Sequence, residues 1–349
     1  MRVQSIDKKN TVGQEASLIT AINKLAAQQV GQQFLIVIND EAKIVGSLTD
    51  GDIRRGLIRG KTINGLVSDF MCANPLLGSS TMDEPELKLL LSKVLSATPF
   101  LPIVNELGLV EKILLDAPKD TTTVNALIMA GGYGTRLGAK TSNTPKALVK
   151  VRGTPLIEHV FRRLDLVKFD KIFVSVHFLA DQVEDYLKKI GRDKQTIILR
   201  ESKPLGTAGA LGLLPTNLTG QLLVTNCDII SNFDPNALFD FHNSSKSDAL
   251  IAVASHDFSV PYGVVKSDMN GLYSCIIEKP IISNFVAAGI YSLSQNFYKN
   301  VRPNERIDMP DLLNKEAVAG KKISIFPLHE NWSDVGTIEE LVSAENKDC

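Results

Sequence analysis

Gly131, Gly132 and Gly134, followed by Thr135, Arg136 and Lys146, set a backbone free of side chains beside two cations. Glycine has no Cβ, so a loop of this composition can turn tightly and aim its N–H groups at an anion. Arg136 adds a planar, forked guanidinium and Lys146 a point charge. Together they make a cradle for a polyphosphate. Two commoner phosphate motifs do not fit. G-x-G-x-x-G fails because Gly132-Tyr133-Gly134 is followed by Leu137 where the last glycine belongs, and the P-loop fails because Ala139 separates Gly138 from Lys140.

Carboxylates and small residues gather at four further places. They are Glu201 ahead of Gly206 and Thr207, Asp228 after an apolar run, Gly263 with Glu278 and Lys279, and Asp334 between Trp332 and Gly336. Elements must exist to bring them together. Leu127-Ile128-Met129-Ala130 reads as a buried strand that stops abruptly at the glycines. The residue pattern predicts strands at 124–129, 171–176, 196–199, 221–225, 249–254 and 323–326, with helices at 155–165, 179–189, 207–214 and 235–243. Such alternation is the mark of an α/β fold with a mostly parallel sheet, whose ligands collect at the carboxyl ends of the strands.

A length of 349 residues predicts two domains, and a 44% apolar fraction is ample for packed cores. Net charge of −1 gives no general attraction for nucleic acid. Cys72, Cys227, Cys275 and Cys349 lack CxxC spacing, which favours reduced thiols without a zinc site. The first ten residues hold no apolar leader and no apolar run approaches 18 residues, so a soluble cytoplasmic protein with no membrane contact is expected.

The sequence G-G-x-G-T-R-L followed by P-K resembles the signature of sugar-1-phosphate nucleotidyltransferases, and the resemblance extends over about 124–346. It implies a Rossmann-like nucleotidyltransferase sheet, here 125–349, and a Mg²⁺-dependent reaction of a nucleoside triphosphate with a sugar 1-phosphate. It assigns the nucleotide to Gly131, Gly132, Gly134, Thr135, Glu201, Gly206 and Thr207, and catalysis to Arg136, Lys146 and Lys279. It places the sugar on Gly263 and Glu278 and the metal on Asp228 and Asp334. Glu201 stands where uridylyl and thymidylyl members usually carry Gln. Guanine offers two adjacent N–H donors, which an ionised carboxylate can accept, so Glu201 favours GTP. Cys227 reads as a small packed residue, with no histidine near in sequence to activate it. Ala287 replaces the Asn of the common N-A-G-I-Y motif, which leaves the identity of the sugar open.

The first third resembles paired cystathionine-β-synthase (CBS) motifs, at 1–118, with a linker at 119–124. Gly46, Thr49 and Asp52 match the motif of the first copy, preceded by a helix at 15–29 and strands at 34–38 and 43–48. A weaker copy has a helix at 82–95 and strands at 100–104 and 109–115, with Val110 and Ile113 where Gly46 and Thr49 stand in the first. The resemblance implies an adenine nucleotide held by Thr49 and Asp52, with Arg54 or Arg55 reaching a phosphate. Thr49 also suits a plain helix cap. A ligand-free docking module is the competing reading. The whole arrangement resembles the glucosamine-1-phosphate guanylyltransferases of bacterial legionaminic-acid synthesis, with a homo-oligomer as the expected assembly. Mannose or heptose 1-phosphate, a UTP-dependent enzyme, and an inactive nucleotide sensor are the alternatives.

Overall fold

The computed structural model describes residues 2–28, 33–94, 99–116 and 123–346. The N-terminal module contains β1 (Arg2–Ser5), β2 (Thr11–Gly13), α1 (Leu18–Ala26), β3 (Phe34–Ile38), β4 (Ile44–Thr49), α2 (Asp50–Ile58), α3 (Val67–Phe70), β5 (Gly78–Ser79), α4 (Glu84–Ser92), β6 (Phe100–Val104) and β7 (Val110–Leu115). One chain path occurs twice. β2 runs parallel to β3, which pairs antiparallel with β4; β5 runs parallel to β6, which pairs antiparallel with β7, and β1 extends that second sheet. Phe34 stacks on Phe100 with ring centres 4.3 Å apart, which joins the two halves. Both long helices of the weaker and stronger copies are shorter than the pattern predicts. Ser17 caps α1 and Asp83 caps α4, each accepting from a backbone N–H in the first turn.

The second body begins directly with β8 (Val124–Met129), so the linker expected at 119–124 ends before Val124, and 119–122 lie outside the described residues. The short strands β9 (Lys150–Val151) and β10 (Thr154–Pro155) follow, then α5 (Leu156–Leu164), β11 (Lys171–Val176), α6 (Ala180–Lys189), β12 (Thr196–Arg200) and α7 (Gly206–Gly209). Next come β13 (Gln221–Asn226), β14 (Ile229–Ser231), α8 (Pro235–Ser245), β15 (Ala249–Ser259), β16 (Val264–Ser267), β17 (Tyr273–Ile277) and β18 (Ile281–Leu293). The chain closes with α9 (Gln295–Tyr298), α10 (Met309–Val318), β19 (Ile323–Pro327), β20 (Trp332–Asp334) and α11 (Ile338–Asn346).

Seven strands form the main sheet in the order β12-β11-β8-β13-β18-β15-β19. Its ladders are parallel except the two made by β18, a strand the residue pattern does not announce. One face packs on Phe161 of α5, Leu187 of α6 and Leu238 of α8. The other packs on Ala208 of α7, Phe297 of α9 and Leu312 of α10. Coverage on both sides explains why β8 is apolar without alternation. Leu127 and Ile128 are both fully buried although they point to opposite faces. The outer halves of β15 and β18 leave the sheet and, with the β16–β17 hairpin, form an exposed arm. No helix among the described residues is long and apolar enough to cross a membrane.

Candidate active site

Beyond Met129 the chain leaves the carboxyl end of β8 and enters the glycine loop. Gly134 has φ 66°, and a Cβ there would meet Thr141 Cγ2 at 2.9 Å and Lys146 Cβ at 3.1 Å. A side chain at that point would be both strained and crowded. A Cβ on Gly131 would lie 2.9 Å from Glu201 Oε1. The loop therefore runs flat against its neighbours and leaves a cavity of about 370 Å³. Lining it are Gly131, Gly132, Gly134, Thr135, Arg136, Lys146, Glu201, Gly206, Thr207 and Asp228, residues drawn from distant parts of the chain.

Two carboxylates neighbour each other next to the cavity, and Asp228 of the pair lines it. β13 delivers Asp228 and β20 delivers Asp334, and the β14–β20 pairing sets Ile229 opposite Asp334 while Val335 N–H donates to the Asp228 carbonyl at 3.0 Å. Lys146 Nζ, itself buried, donates to Asp228 Oδ2. Asp228 Oδ1 and Asp334 Oδ1 are both buried without a hydrogen-bond partner. Burial, then the neighbouring Asp228 charge, pushes the Asp334 carboxyl up to about 6. Each aspartate keeps an orphaned carboxylate oxygen, and among the described residues Lys146 alone is in ion contact with the pair, so positive charge is short. A hard divalent cation such as Mg²⁺ would supply it, and the donor set fits that ion. Burial and the Asp228 charge push the Cys227 thiol far above its ordinary value, in keeping with a packed, unreactive residue.

Glu201 is buried, and its carboxylate is partly committed. Ser175 Oγ donates to Oε1, and the Leu205 N–H donates to Oε2 at 3.0 Å. These contacts hold the 201–205 loop, yet each oxygen keeps a further lone pair and the residue lines the cavity.

Several supporting residues escape the motif reading. Asn226 lines the cavity beside Asp228. Asp308, the residue just before α10, accepts from Thr207 N–H at 2.9 Å and fixes the loop that carries Gly206. His177 Nδ1 donates to the Glu201 carbonyl at 2.9 Å, which leaves Nε2 to accept from Tyr133 Oη at 3.2 Å. Glu340 Oε2 accepts from the N–H groups of Gly336 and Thr337 at 2.9 and 2.8 Å. Only this last was legible, because Thr337-Ile338-Glu339-Glu340 has the capping-box spacing.

Gly263, Glu278 and Lys279 come together elsewhere. They sit on the exposed arm, where a Cβ on Gly263 would lie 2.9 Å from Glu278 Oε1, and none of the three lines the glycine-loop cavity. Thr49 and Asp52 form a reciprocal cap at the start of α2, and they line a second cavity of about 330 Å³. Its other wall is α8, with Ala237, Asp240, Phe241 and Ser244. Arg55 also lines it and pairs with Asp52 at 2.7 Å. Arg54 does not reach this cavity. Its side chain is fully buried against the second body, so of the two arginines expected as alternatives to reach a phosphate Arg54 is ruled out and Arg55 is left.

The nucleotidyl transferase family model matches residues 125–349. The chain belongs to that family. It is similar to the mannose-1-phosphate guanylyltransferase catalytic subunit beta of Drosophila melanogaster, 32% identical over 231 residues, covering 62% of this chain and 61% of that one. It is also similar to the bifunctional protein GlmU of Methanococcus vannielii, 29% identical over 237 residues, covering 64% of this chain and 54% of that one. The chain thus spans about half to three-fifths of the length of these curated relatives. Among solved structures, HddC from Yersinia pseudotuberculosis shares the fold, with a TM-score of 0.50 and 24% identity over 63% of this chain and 97% of that one.

Proposed function

We propose that this nucleotidyltransferase moves a guanylyl group from GTP to a sugar 1-phosphate, glucosamine 1-phosphate being favoured, and releases pyrophosphate and a GDP-sugar. The observation that carries the reading is the convergence of the glycine loop, Glu201, Lys146 and Asp228 on one cavity, with the Asp334 strand held against Asp228 by the Val335 N–H. A phosphate oxygen of the sugar ester attacks the α-phosphorus in line, and the P–O bond to pyrophosphate breaks. The attacking oxygen is already anionic, so no general base is needed. Positioning and charge neutralisation do the work. Arg136 and Lys146 stabilise charge on the departing pyrophosphate and around the reacting phosphorus. Lys279 and Glu278, on the exposed arm, meet the sugar phosphate as it enters. Asp228 and Asp334 would hold Mg²⁺, which supplies positive charge against the triphosphate when bound.

Mannose 1-phosphate is the second acceptor to consider, because a mannose-1-phosphate guanylyltransferase is among the similar proteins. The twofold β-α-β-β path of the N-terminal module supports its reading as a CBS pair, and the cavity at Thr49 and Asp52 supports an adenine-nucleotide site there. Four nucleoside triphosphates assayed against glucosamine, mannose, heptose and glucose 1-phosphates, by pyrophosphate release, test the proposal. A preference for UTP or dTTP with every sugar would overturn the assignment of the base.

A further inference from the structure

The N-terminal module and the transferase body meet at a buried cation. Arg54, on α2, is 0% exposed, and arginine is almost never buried unless paired. Its guanidinium donates to Asp50 Oδ2 at 2.7 Å and Oδ1 at 3.0 Å within its own helix. Across the junction it donates to Glu330 Oε1 at 2.7 Å and to the Pro327 carbonyl, and its Cζ lies 3.7 Å from the centre of the Phe326 ring. His329 Nε2 adds a contact to Asp50 Oδ1 at 2.8 Å. Asp50, His329 and Glu330 bring ligand-type atoms within 4.8 Å of one another, but Arg54 is already the cation between the two carboxylates, so this is an ion-pair clasp and not a metal seat.

What the clasp grips decides its meaning. Phe326 and Pro327 end β19, and the chain then passes through Leu328, His329, Glu330 and Asn331 into β20, which carries Trp332 and Asp334. Within the transferase body this passage is tied by Leu328 N–H to the Val253 carbonyl at 2.7 Å, by Asn331 O accepting from Asn232 N–H at 3.1 Å, and by Trp332 Nε1 donating to the Ala288 carbonyl at 2.9 Å. Arg54 reaches the same passage from the other body. Without it, the Asp50 and Glu330 carboxylates would face each other with little water, and the segment would have to move to solvate them.

We infer that Arg54 is a positioning residue for the transferase centre: by holding Phe326 to Glu330 it fixes where β20 presents Asp334. The inference rests on the reading of Asp334 as part of the reaction centre. It also gives the module a mechanical route to that centre. α2, capped by Thr49, carries Asp52 at the second cavity and Arg54 two residues further on, toward the opposite side of the helix, so one short helix touches both. Coupling between sites is carried by packed elements that have two discrete arrangements, and α2 is the element placed to do so here.

Trp332 is the protein's one tryptophan, so its emission reports on β20 directly. The test uses the full chain with Arg54→Lys, which keeps the charge but loses the fork, and Glu330→Gln, which weakens the clasp from the other side while leaving the Arg54–Asp50 pair. Mn²⁺ serves as the metal probe, followed by Trp332 fluorescence, alongside kcat, KM and thermal melting. The inference expects red-shifted emission in both variants, an Mn²⁺ midpoint raised about tenfold or more, as for lost support of a metal ligand, and a kcat that falls more than KM for the nucleotide rises. Variants that melt earlier but keep the parent's emission and Mn²⁺ midpoint would show a merely structural clasp and overturn it. So would a parent chain whose Trp332 signal ignores Mn²⁺. A parent that responds to Mn²⁺ but transfers no nucleotide would sink the proposed function while leaving the positioning role standing. If Arg54→Lys does not fold, Glu330→Gln decides alone.

Discussion

Glu201→Gln separates base reading from loop support. In the native chain both carboxylate oxygens already accept one donor, Ser175 Oγ on Oε1 and Leu205 N–H on Oε2. A glutamine can keep both contacts. Its amide oxygen accepts from Leu205, and its NH₂ faces Ser175, whose hydroxyl rotates to accept instead. The loop should therefore survive. What changes is the face toward the cavity. Two guanine donors would meet one neutral acceptor and one opposing donor instead of an anion. Losing a hydrogen bond to a charged group is worth about 1.5–3 kcal/mol, so kcat/KM for GTP should fall by roughly 10- to 150-fold. UTP should hold steady or gain, because the amide can donate to O4 of uracil and accept from N3–H. Steady-state kinetics with GTP and UTP at one saturating sugar phosphate, with melting curves to confirm the fold, decide the matter. An equal loss for both nucleotides would mean that Glu201 serves only the loop and that the base is read elsewhere.

Asp228→Asn and Asp334→Asn should each cut turnover by about 100-fold or more, beyond the loss typical of residues that merely support a metal ligand; near-parent rates at limiting Mg²⁺ would remove the assignment. The Asp334 carboxyl, raised in the fold to about 6 from 3.8, is favoured in its protonated form. Its contribution to the stability of the metal-free chain is therefore complete below about pH 4 and lost as pH rises through 6. Melting temperatures across that window should fall with pH less steeply in Asp334→Asn, and Mg²⁺ should restore the parent most above pH 6; identical pH slopes for the two chains would contradict this. The double variant Thr49→Val, Asp52→Ala removes both halves of the α2 cap. It should destabilise the module by about 1 kcal/mol and abolish calorimetric binding of AMP, whereas undiminished AMP heat would place any adenine nucleotide elsewhere.

The sequence by itself determined what is local. The apolar run of β8 and the glycines after it predict a strand and a phosphate-type loop, and the strand spans Val124–Met129 as its pattern indicates. Thr49 reads as a cap from its own spacing to Asp52, and it is one. Such features depend on residues a few positions apart, so composition and period suffice to show them. β18 was illegible because its outer half is exposed and its inner half buried, so no single period runs along it. The arm that carries Gly263, Glu278 and Lys279 follows from that strand, and its distance from the glycine loop is a matter of strand length and twist. Tertiary structure alone decided that Glu201 is shared between Ser175 and the cavity, because the parallel β11–β12 register sets the pair together. It also decided the fate of Arg54. Its sequence neighbours suggest a phosphate contact, but Phe326, Pro327 and Glu330 lie far along the chain. Which face of α2 is buried depends on the body docked against it, and a nine-residue helix with charges on several sides carries no pattern that names its partner.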